Sequence, residues 1–331
     1  MQGNVHTRSI MLIFMIFVLL LSGCSNAGNG GTSPATTDTP PEETAIVEQP
    51  ANTRTYTDFT GRQTNIPANP EKIVLLGDNP GDLLALGVKP LGVDWINERY
   101  VYADQLEGVA DIGYPHNVEK VVELNPDLIL QMSFTPDKDG PTYDTMSKIA
   151  PVAYIDRSLP TGERVMEIAK ALGKEQAAEQ WLASYDMKAK AMWEQLGLAD
   201  GETATVYLSL GGSYYVMGNY SFTTTLYQDG GFKPTPQVQE LINEGKRFAS
   251  ISLEVLPEYA GDRIFLLSKP DSDDEKAAAE LVSSPLWSNL PAVRNGRAYT
   301  GDIIWNANDP ITMERLLEVL PGMMEQAVVQ P

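Results

Sequence analysis

The sequence predicts an α/β protein of two lobes, each built on a mostly parallel sheet, joined by one long rigid α-helix. From about Tyr56 onward, short β-branched runs alternate with helical stretches, which is typical of parallel sheets covered by helices. The alternation occurs twice, once before and once after a stretch of strong helix formers at 174–197. Two α/β lobes with a helical connector therefore account for the chain from about residue 54 onward.

The first set of elements predicts an N-terminal lobe at 54–173. Its candidate strands are short and rich in Val, Ile and Leu, and its candidate helices carry apolar residues at helical spacing. The candidate strands are 72–77, 90–94, 127–131 and 151–156. The candidate helices that lie between them are 81–87, 117–125 and 143–150.

The stretch "KEQAAEQWLASYDMKAKAMWEQLG" at 174–197 predicts the interdomain helix. It contains no proline and no interior glycine, and its apolar residues recur at spacings of three and four. At 1.5 Å per residue the helix would be about 35 Å long, enough to run along both lobes. A flexible hinge would be rich in Gly, Ser and Pro, so this connector is expected to be stiff and to allow only modest lobe movement.

The second set of elements predicts a C-terminal lobe at 198–331 with the same alternation. Its candidate strands are again apolar runs that include β-branched residues. They are 204–210, 262–268 and 297–302. The candidate helices lie near 223–229, 252–258 and 310–328.

Residues 1–23 have the order of a secretory signal peptide: a start with Arg8 and no acid, an apolar run, and then small residues. The apolar run "IMLIFMIFVLLL" has 12 residues, fewer than the roughly 20 that span a bilayer. The stretch "LSGC" resembles the lipobox of bacterial lipoproteins, which implies that Cys24 is acylated and becomes the first mature residue. We therefore expect Cys24 to anchor the protein to the outer face of the cytoplasmic membrane.

The segment 24–53 is expected to be a flexible acidic linker. It is rich in Ser, Thr, Pro and Gly, and it contains acids but no bases and no aromatic residue. Such a composition cannot bury enough apolar surface to fold. Its expected role is to hold the folded body away from the membrane.

The composition excludes several classes of protein. With 44 acidic and 24 basic residues, the formal net charge of −20 repels phosphate backbones, so nucleic acid is not an expected partner. The single cysteine excludes an intramolecular disulfide, a Cys-based zinc site and an iron–sulfur cluster. Of the two histidines, His6 lies in the leader, and His116 lies in a predicted loop, where a lone histidine is typically a surface residue.

Five quoted stretches carry a family resemblance. They are "YTDFTGRQTNIPANPEKIVLLG", "VEKVVELNPDLIL", the long helix, "SLEVLPEYAGDRIFLL" and "SSPLWSNLPAVRNGRAYTGD". In order, they resemble the ABC-transporter solute-binding lipoproteins that take up ferric siderophores, haem and cobalamin. The resemblance implies two Rossmann-like lobes of the class III periplasmic-binding-protein type and a ligand in the cleft between them. It also implies delivery to a membrane permease that a cytoplasmic ATPase drives, with no catalysis by this chain.

The same resemblance implies two residues that dock the permease. The family uses one glutamate on the outer tip of each lobe, and the matching residues are Glu119 in "NVE" and Glu254 in "SLE". A carboxylate in the first turn of a helix is favoured by the helix dipole and can still bind an arginine of the permease. The alternative interpretation is that both glutamates merely charge the starts of their helices.

Candidate ligand-binding residues follow the carboxyl ends of the predicted strands, where open α/β sheets bind their ligands. These positions are rich in aromatic rings and arginines, which suit a bulky ferric chelate because rings bury its apolar rim and guanidinium groups donate to its oxygens. Core packing is the alternative for each ring. The candidates are Trp95, Arg99, Tyr100, Phe134, Arg157, Tyr214, Tyr215 and Trp305, together with Phe248, which relatives place on the cleft wall.

The expected ligand is a ferric siderophore of the hydroxamate type. Ferric tris-catecholates are highly anionic and usually need a basic cluster, whereas the strand ends of this acidic protein supply two arginines and no lysine. The run "WNANDP" at 305–310 also resembles hydroxamate binders. The iron would be held by the siderophore, so no cofactor and no direct metal ligand are expected, and the protein is expected to be a monomer.

Other ligands and another class of function stay open at this point. Haem, cobalamin or a catecholate siderophore are alternative ligands in the same family. Direct ferric-ion binding could use the adjacent Tyr214 and Tyr215, but neighbouring side chains of an extended segment point to opposite faces. An extracytoplasmic enzyme is the different-class alternative. It is disfavoured because the chain lacks the Gly-x-Ser-x-Gly, Walker and His-Glu-x-x-His motifs.

Overall fold

The computed structural model describes residues 52–78, 80–94, 100–135 and 140–326. The predicted signal peptide, Cys24, nearly all of the predicted linker, and the candidate residues Trp95 and Arg99 lie outside these ranges. Within the ranges, no helix combines the length and the apolar character that crossing a membrane requires. The described residues have the predicted fold: two sheets of mostly parallel strands with covering helices, and one long helix between them in the chain.

An antiparallel hairpin that the sequence analysis did not predict precedes the first sheet. Its strands are β1 (Thr53–Thr57) and β2 (Gln63–Pro67). Asp58 shapes the turn, because its carboxylate accepts the backbone N–H groups of Thr60 and Arg62 at 2.9 and 3.1 Å. The strands alternate polar and apolar residues, and buried Tyr56 and Ile66 attach the hairpin to the core.

The first sheet has five parallel strands in the order β5-β4-β3-β6-β7. The four predicted strands of this lobe are confirmed, and β5 is an additional edge strand. The strands are β3 (Ile73–Leu76), β4 (Gly92–Val93), β5 (Ala110–Asp111), β6 (Leu128–Ser133) and β7 (Val152–Asp156). The accompanying helices are α1 (Gly81–Ala85), α2 (Val118–Leu124), α3 (Gly140–Met146) and α4 (Thr161–Leu172).

Burial on both faces explains the continuous apolar runs of the central strands. In β3, Ile73 and Leu75 join one hydrophobic cluster, whereas Val74 and Leu76 join another on the opposite face. Parallel sheets covered by helices need apolar residues on both sides, so their strands do not alternate with polar residues.

Helix α5 (Glu175–Leu196) is the predicted connector. Its 22 residues give a length of about 33 Å. It ends at Gly197, whose φ of 58° is the left-handed conformation common after helices. Trp181 and Tyr185 stack with ring centroids 5.3 Å apart on its buried face, as the spacing of apolar residues predicted.

The second sheet is mixed and has the order β11-β9-β8-β12-β13, with β10 paired to β8. Strand β9 runs antiparallel to both of its neighbours, and the other pairs are parallel. The strands are β8 (Thr203–Leu210), β9 (Ser213–Met217), β10 (Lys233–Pro234), β11 (Phe248–Ile251), β12 (Arg263–Ser268) and β13 (Ala298–Asp302). The helices are α6 (Phe222–Leu226), α7 (Pro236–Asn243), α8 (Leu256–Tyr259), α9 (Asp273–Val282), α10 (Pro285–Ser288), α11 (Pro291–Arg294) and α12 (Pro310–Glu325).

The last helix returns to the first lobe. Helix α12 packs against α1, α4 and α5 as well as against α6 and β13 of the second lobe. The fully buried Arg164 of α4 donates to Asp82 of α1 at 3.1 Å and to the Asn308 carbonyl at 2.7 Å. A Cβ on Gly81 would lie 2.2 Å from Oδ1 of Asp309, so only glycine allows the start of α12 to approach α1 this closely.

Candidate ligand-binding site

A cavity of about 620 Å³ lies at the carboxyl end of the first sheet. Its lining includes residues that follow β3, β4, β6 and β7, as expected for an open α/β sheet. Gly77 makes this edge possible, because its φ is 89° and a Cβ there would lie 2.2 Å from the Met132 carbonyl oxygen. Three of the predicted ligand residues line the cavity: Tyr100, Phe134 and Arg157.

Arg157 is held in place by Asp78. The Nε and Nη2 atoms of Arg157 donate to the two carboxylate oxygens of Asp78 at 2.7 and 3.1 Å. This bidentate geometry fixes the plane of the guanidinium group, which remains partly exposed on the cavity wall. Arg157 is therefore an oriented donor and not a freely moving surface charge.

Phe134 lies between two guanidinium groups. The Cζ atom of Arg157 is 4.9 Å from the Phe134 ring centroid, and the Cζ atom of Arg247 is 4.1 Å from it. Arg247 directly precedes β11 and also lies over the ring of Tyr220, at 4.8 Å. Because Arg247 belongs to the second lobe, this cluster joins the two lobes at the site, while 42% of Phe134 stays exposed.

His116 lies in the wall of the cavity, so the expectation that it is a surface residue is wrong. Its Nε2 lies 3.1 Å from Oδ2 of Asp94, and its side chain is only 11% exposed. The same carboxylate oxygen accepts the Gly77 N–H at 2.7 Å. The ring of Tyr114 meets the His116 ring edge to face, with centroids 5.5 Å apart. His116 and Asp94 are thus a fixed polar pair beside the cavity.

Tyr100 brings a phenol to the cavity. Its ring stacks on the buried Tyr102 with centroids 5.1 Å apart and an interplanar angle of 16°. Burial, and then the nearby carboxylates of Asp309 and Asp78, raise the pKa of Tyr100 well above its usual value. Its hydroxyl therefore stays protonated and can donate a hydrogen bond to a ligand oxygen.

In the second lobe, strand β9 turns the neighbouring Tyr214 and Tyr215 to opposite faces of the sheet. Tyr215 contacts Phe248 edge to face, with centroids 5.7 Å apart. Tyr214 is on the opposite face of β9, where its hydroxyl donates to the Ala277 carbonyl at 2.9 Å. The structure therefore places Tyr214 on the face of β9 away from Tyr215 and Phe248, because an extended strand turns consecutive side chains to opposite faces.

Trp305 lies in a short 3₁₀ turn, Ile303–Asn306, between β13 and α12. It is partly buried against the main hydrophobic cluster. The same turn leads to Asn308, whose carbonyl accepts from Arg164 of the first lobe. Trp305 is thus part of the segment that passes from the second lobe to the first.

Sequence reasoning missed four polar residues of the site. Asp78 and Asp94 follow strand ends and could have been found by the strand-end rule, had it been applied to acids as well as to rings and arginines. His116 reaches the site through its contact with Asp94, which is 22 residues away in the chain. No local sequence pattern reveals a contact of this kind. Arg247 precedes β11, whereas the strand-end rule considers only residues that follow a strand.

The two glutamates predicted to dock a permease are exposed at helix starts. Glu119 is in the first turn of α2, where the Asn117 side chain accepts the Lys120 N–H at 3.1 Å. Glu254 lies in the 3₁₀ turn Leu253–Val255 and accepts from the Ser252 hydroxyl at 2.9 Å. Both carboxylates are accessible to a partner, and their docking role stays a prediction.

Comparisons with known proteins agree with this architecture. A family model described as periplasmic binding protein matches residues 73–303. The iron(3+)-hydroxamate-binding protein FhuD of Bacillus subtilis is 33% identical over 311 residues, covering 92% of this chain and 94% of that protein. YfiY of Bacillus subtilis, named a probable siderophore-binding lipoprotein, is 30% identical over 312 residues, covering 90% of this chain and 91% of that protein.

A solved structure from Bacillus subtilis is also similar. It is of the FhuD fold-family and is described as the periplasmic binding protein component of a Fep/Fec-like ferrichrome ABC transporter. It matches with a TM-score of 0.71 and 32% identity, covering 82% of this chain and 100% of that chain.

Proposed function

The chain belongs to the periplasmic binding protein family, and from this membership we propose that it captures a ferric siderophore for an ABC importer. The ligand would sit between the lobes, whose proposed limits are 54–173 and 198–331, and would pass unchanged to the permease. The observation that carries the proposal is the cluster in which Arg157 and Arg247 lie on Phe134. It offers one ligand an apolar ring and guanidinium donors from both lobes.

The hydroxamate type is the favoured siderophore. The 33% identity to a protein named for iron(3+)-hydroxamate binding supports it, and so does the charge of the site. Arg157 is paired with Asp78, and the cavity wall also carries Asp94, so the wall does not have the surplus of positive charge that a highly anionic catecholate needs. Tyr100, Tyr215, Phe248 and Trp305 are the further proposed ligand contacts, together with Trp95 and Arg99, which lie outside the described residues.

The alternatives are weaker on specific grounds. Direct ferric-ion binding by Tyr214 and Tyr215 conflicts with their positions on opposite faces of β9. Haem, cobalamin and catecholates would bind in the same cleft. The binding experiment below distinguishes these ligands from hydroxamates. An enzymatic role has the least support, because the named relatives are binding proteins.

Delivery requires a membrane anchor and a docking surface. We assign the anchor to a lipid on Cys24, in keeping with the lipoprotein name of one relative. We assign docking to Glu119 and Glu254, whose exposed carboxylates can form bidentate contacts with arginines of a permease. The protein would act as a monomer on the outer face of the cytoplasmic membrane.

Titration of intrinsic tryptophan fluorescence tests the ligand. The probes are ferrichrome and ferrioxamine B as hydroxamates, ferric enterobactin as a catecholate, haem and cyanocobalamin, with N-acetyltryptophanamide as the control for light absorption by each probe. Saturable quenching by a hydroxamate at nanomolar to micromolar concentration, with the ligand recovered unaltered, is the expected result. If only another probe gives saturable quenching, that probe replaces the hydroxamate as the proposed ligand. If no probe gives saturable quenching, the proposed function is wrong.

A further inference from the structure

Three ionisable side chains are buried where the start of α12 meets α1 and α4. Asp82 of α1, Arg164 of α4 and Asp309 directly before α12 are each at most 1% exposed. None of the three is among the described residues that line the cavity. We call this contact the lobe junction, because Asp309 belongs to the second lobe and the other two to the first. A change of charge here acts on the packing of one lobe against the other.

Arg164 neutralises one carboxylate of the lobe junction. Its Nε lies 3.1 and 3.2 Å from the two carboxylate oxygens of Asp82, and its Nη2 lies 3.1 Å from Oδ1. Its terminal nitrogens also donate to the backbone carbonyls of Leu159 at 3.4 Å and Asn308 at 2.7 Å. Asp82 and Arg164 thus form a buried ion pair whose net charge is zero.

Asp309 is the second buried carboxylate, and it has hydrogen bonds but no cation of its own. Its oxygens accept the backbone N–H and the hydroxyl of Thr312 at 2.9 and 2.8 Å, which caps α12. In the part of the chain that the structure describes, no basic side chain pairs with it. The carboxylate lies against α1, since a Cβ on Gly81 would be 2.2 Å from its Oδ1.

The surrounding groups do not supply the missing positive charge. The ionisable groups that interact with the junction are Asp78, Tyr100, Tyr102 and Tyr220. Asp78 is already paired with Arg157, and tyrosine hydroxyls are neutral near pH 7. Counted over the described residues, three carboxylates therefore share two guanidinium groups. One buried negative charge is left without a cation.

Burial makes this surplus charge costly and favours its protonation. Burial raises the pKa of Asp82 to about 7, although Arg164 beside it acts in the opposite direction. Burial likewise raises the pKa of Asp309 to about 6, against the effect of the hydrogen bonds from Thr312. Because the two acids interact, the proton that replaces the surplus charge belongs to the pair.

We propose that Asp82 and Asp309 are a proton-dependent latch between the two lobes. With one proton on the pair, the junction is neutral, and α1 packs against the start of α12. When the proton is lost, two carboxylates share Arg164, and their repulsion loosens this contact. The latch goes beyond ligand capture, because it makes the packing of the lobes depend on the surrounding pH. It does not depend on which ligand the cavity binds.

Asp309→Asn tests the latch by removing the surplus charge, because asparagine caps a helix as well as aspartate does. An acid whose pKa rises on folding stabilises the folded state at low pH, and this stabilisation is lost as the pH rises through the folded value. In urea titrations, the unfolding equilibrium constant of the unmodified protein should therefore rise about tenfold more between pH 5 and pH 8 than that of Asp309→Asn. At pH 8 the variant should be the more stable protein.

Two further variants control for capping and for the ion pair. Asp302 also caps a turn, by accepting the Ile304 N–H at 3.0 Å, but it is only partly buried. Asp302→Asn should keep the full pH dependence. Asp82→Asn leaves Arg164 without its ion-pair partner, so it should be less stable than the unmodified protein at both pH values.

Hydrogen exchange follows the contact in the unmodified protein. The amides to monitor are those of α1 and that of Met313, which donates to the Asp309 carbonyl at 3.0 Å. After correction for the intrinsic effect of pH on exchange, their protection should fall about tenfold from pH 5 to pH 8. In Asp309→Asn it should stay constant.

Three outcomes would overturn the latch. They are an equal pH dependence of stability in the unmodified protein and Asp309→Asn, a pH dependence that Asp302→Asn also abolishes, and unchanged protection of α1 and Met313 in the unmodified protein. The last measurement needs no variant, so the latch stays testable even if Asp309→Asn does not fold.

Discussion

Arg247 of the second lobe lies on the ring of Phe134 of the first, with 4.1 Å between the guanidinium carbon and the ring centroid. Arg157 approaches the same ring at 4.9 Å. An aromatic ring attracts cations through the negative potential of its face. The contact therefore holds two positive groups close together where the two lobes meet.

Removing Arg247 should weaken ligand binding with little effect on the fold. Arg247→Ala takes away a donor and a cation–π contact at a partly exposed position, and we expect the dissociation constant for a ferric hydroxamate to rise about tenfold. Fluorescence titration measures the affinity, and thermal unfolding measures stability. Arg263→Ala is the matched control, because Arg263 lies over Phe232 in the interior of the second lobe and pairs with Glu202. It should lower stability and leave affinity unchanged, and the reverse pattern would contradict the assignment.

The two neighbouring tyrosines should respond differently to substitution. Tyr215→Ala removes a ring that contacts Phe248 and should weaken hydroxamate binding at least fivefold. Tyr214→Phe removes the hydroxyl that donates to Ala277, so it should cost about 1 kcal/mol of stability and leave the affinity unchanged. Fluorescence titration and chemical denaturation of both variants check this. A loss of affinity in Tyr214→Phe alone would reverse the assignment of the two faces.

Trp305→Ala should weaken ligand binding while the protein still folds. The indole is only partly buried and lies between the second sheet and α12, so its loss leaves the interior of each sheet intact. We expect a dissociation constant at least tenfold higher and a smaller quenching amplitude, with an unchanged far-ultraviolet circular dichroism spectrum. Unchanged affinity would remove Trp305 from the site.

Docking should depend on Glu119 and Glu254 and not on acidic charge in general. The double variant Glu119→Ala, Glu254→Ala should bind its ligand normally and lose uptake of radioactive iron–siderophore by cells. The control is Glu123→Ala with Glu258→Ala, since these glutamates are also exposed on α2 and α8. Normal uptake with the Glu119→Ala, Glu254→Ala variant, or an equal loss of uptake with both double variants, would rule out the docking assignment.

Two glycine substitutions should change stability in opposite directions. Gly81→Ala places a Cβ 2.2 Å from Asp309, so it should lower the free energy of unfolding by about 1–3 kcal/mol. A Cβ on Gly322 of α12 would have no atom within 4 Å. Because alanine favours a helix more than glycine does, Gly322→Ala should raise the free energy of unfolding by about 0.5–1 kcal/mol. Denaturant titration measures both. Equal stability of Gly81→Ala and the unmodified protein would mean that α12 does not approach α1 as described.

The strands and the long helix could be predicted because their signals are local. Strand β3 is a continuous apolar run because both of its faces are buried, and α5 repeats its apolar residues at helical spacing. The hairpin of β1 and β2 has the alternation of a half-buried strand, but each strand has only five residues, so the signal was weak. Its existence depends on the tertiary contacts of Tyr56 and Ile66.

The candidate site could be predicted only in part. Phe134 and Arg157 follow the ends of parallel strands, so the strand-end rule placed them in the cavity. Tyr214 followed from the same rule, but the strand continued as a hairpin and turned its ring to the other face. Arg247 and His116 reach the site through contacts with residues distant in the chain, and such contacts leave no periodic pattern in a sequence.

The chain passes between its lobes at α5 and again at the segment before α12, where Arg164 binds the Asn308 carbonyl. A lobe attached at one point could rotate in any direction, whereas attachment at two points leaves only the axis that joins those points. Opening of the cleft should therefore follow one path. If the proposed docking residues Glu119 and Glu254 bind a permease, a force on both lobes would turn them about that axis without bending either sheet.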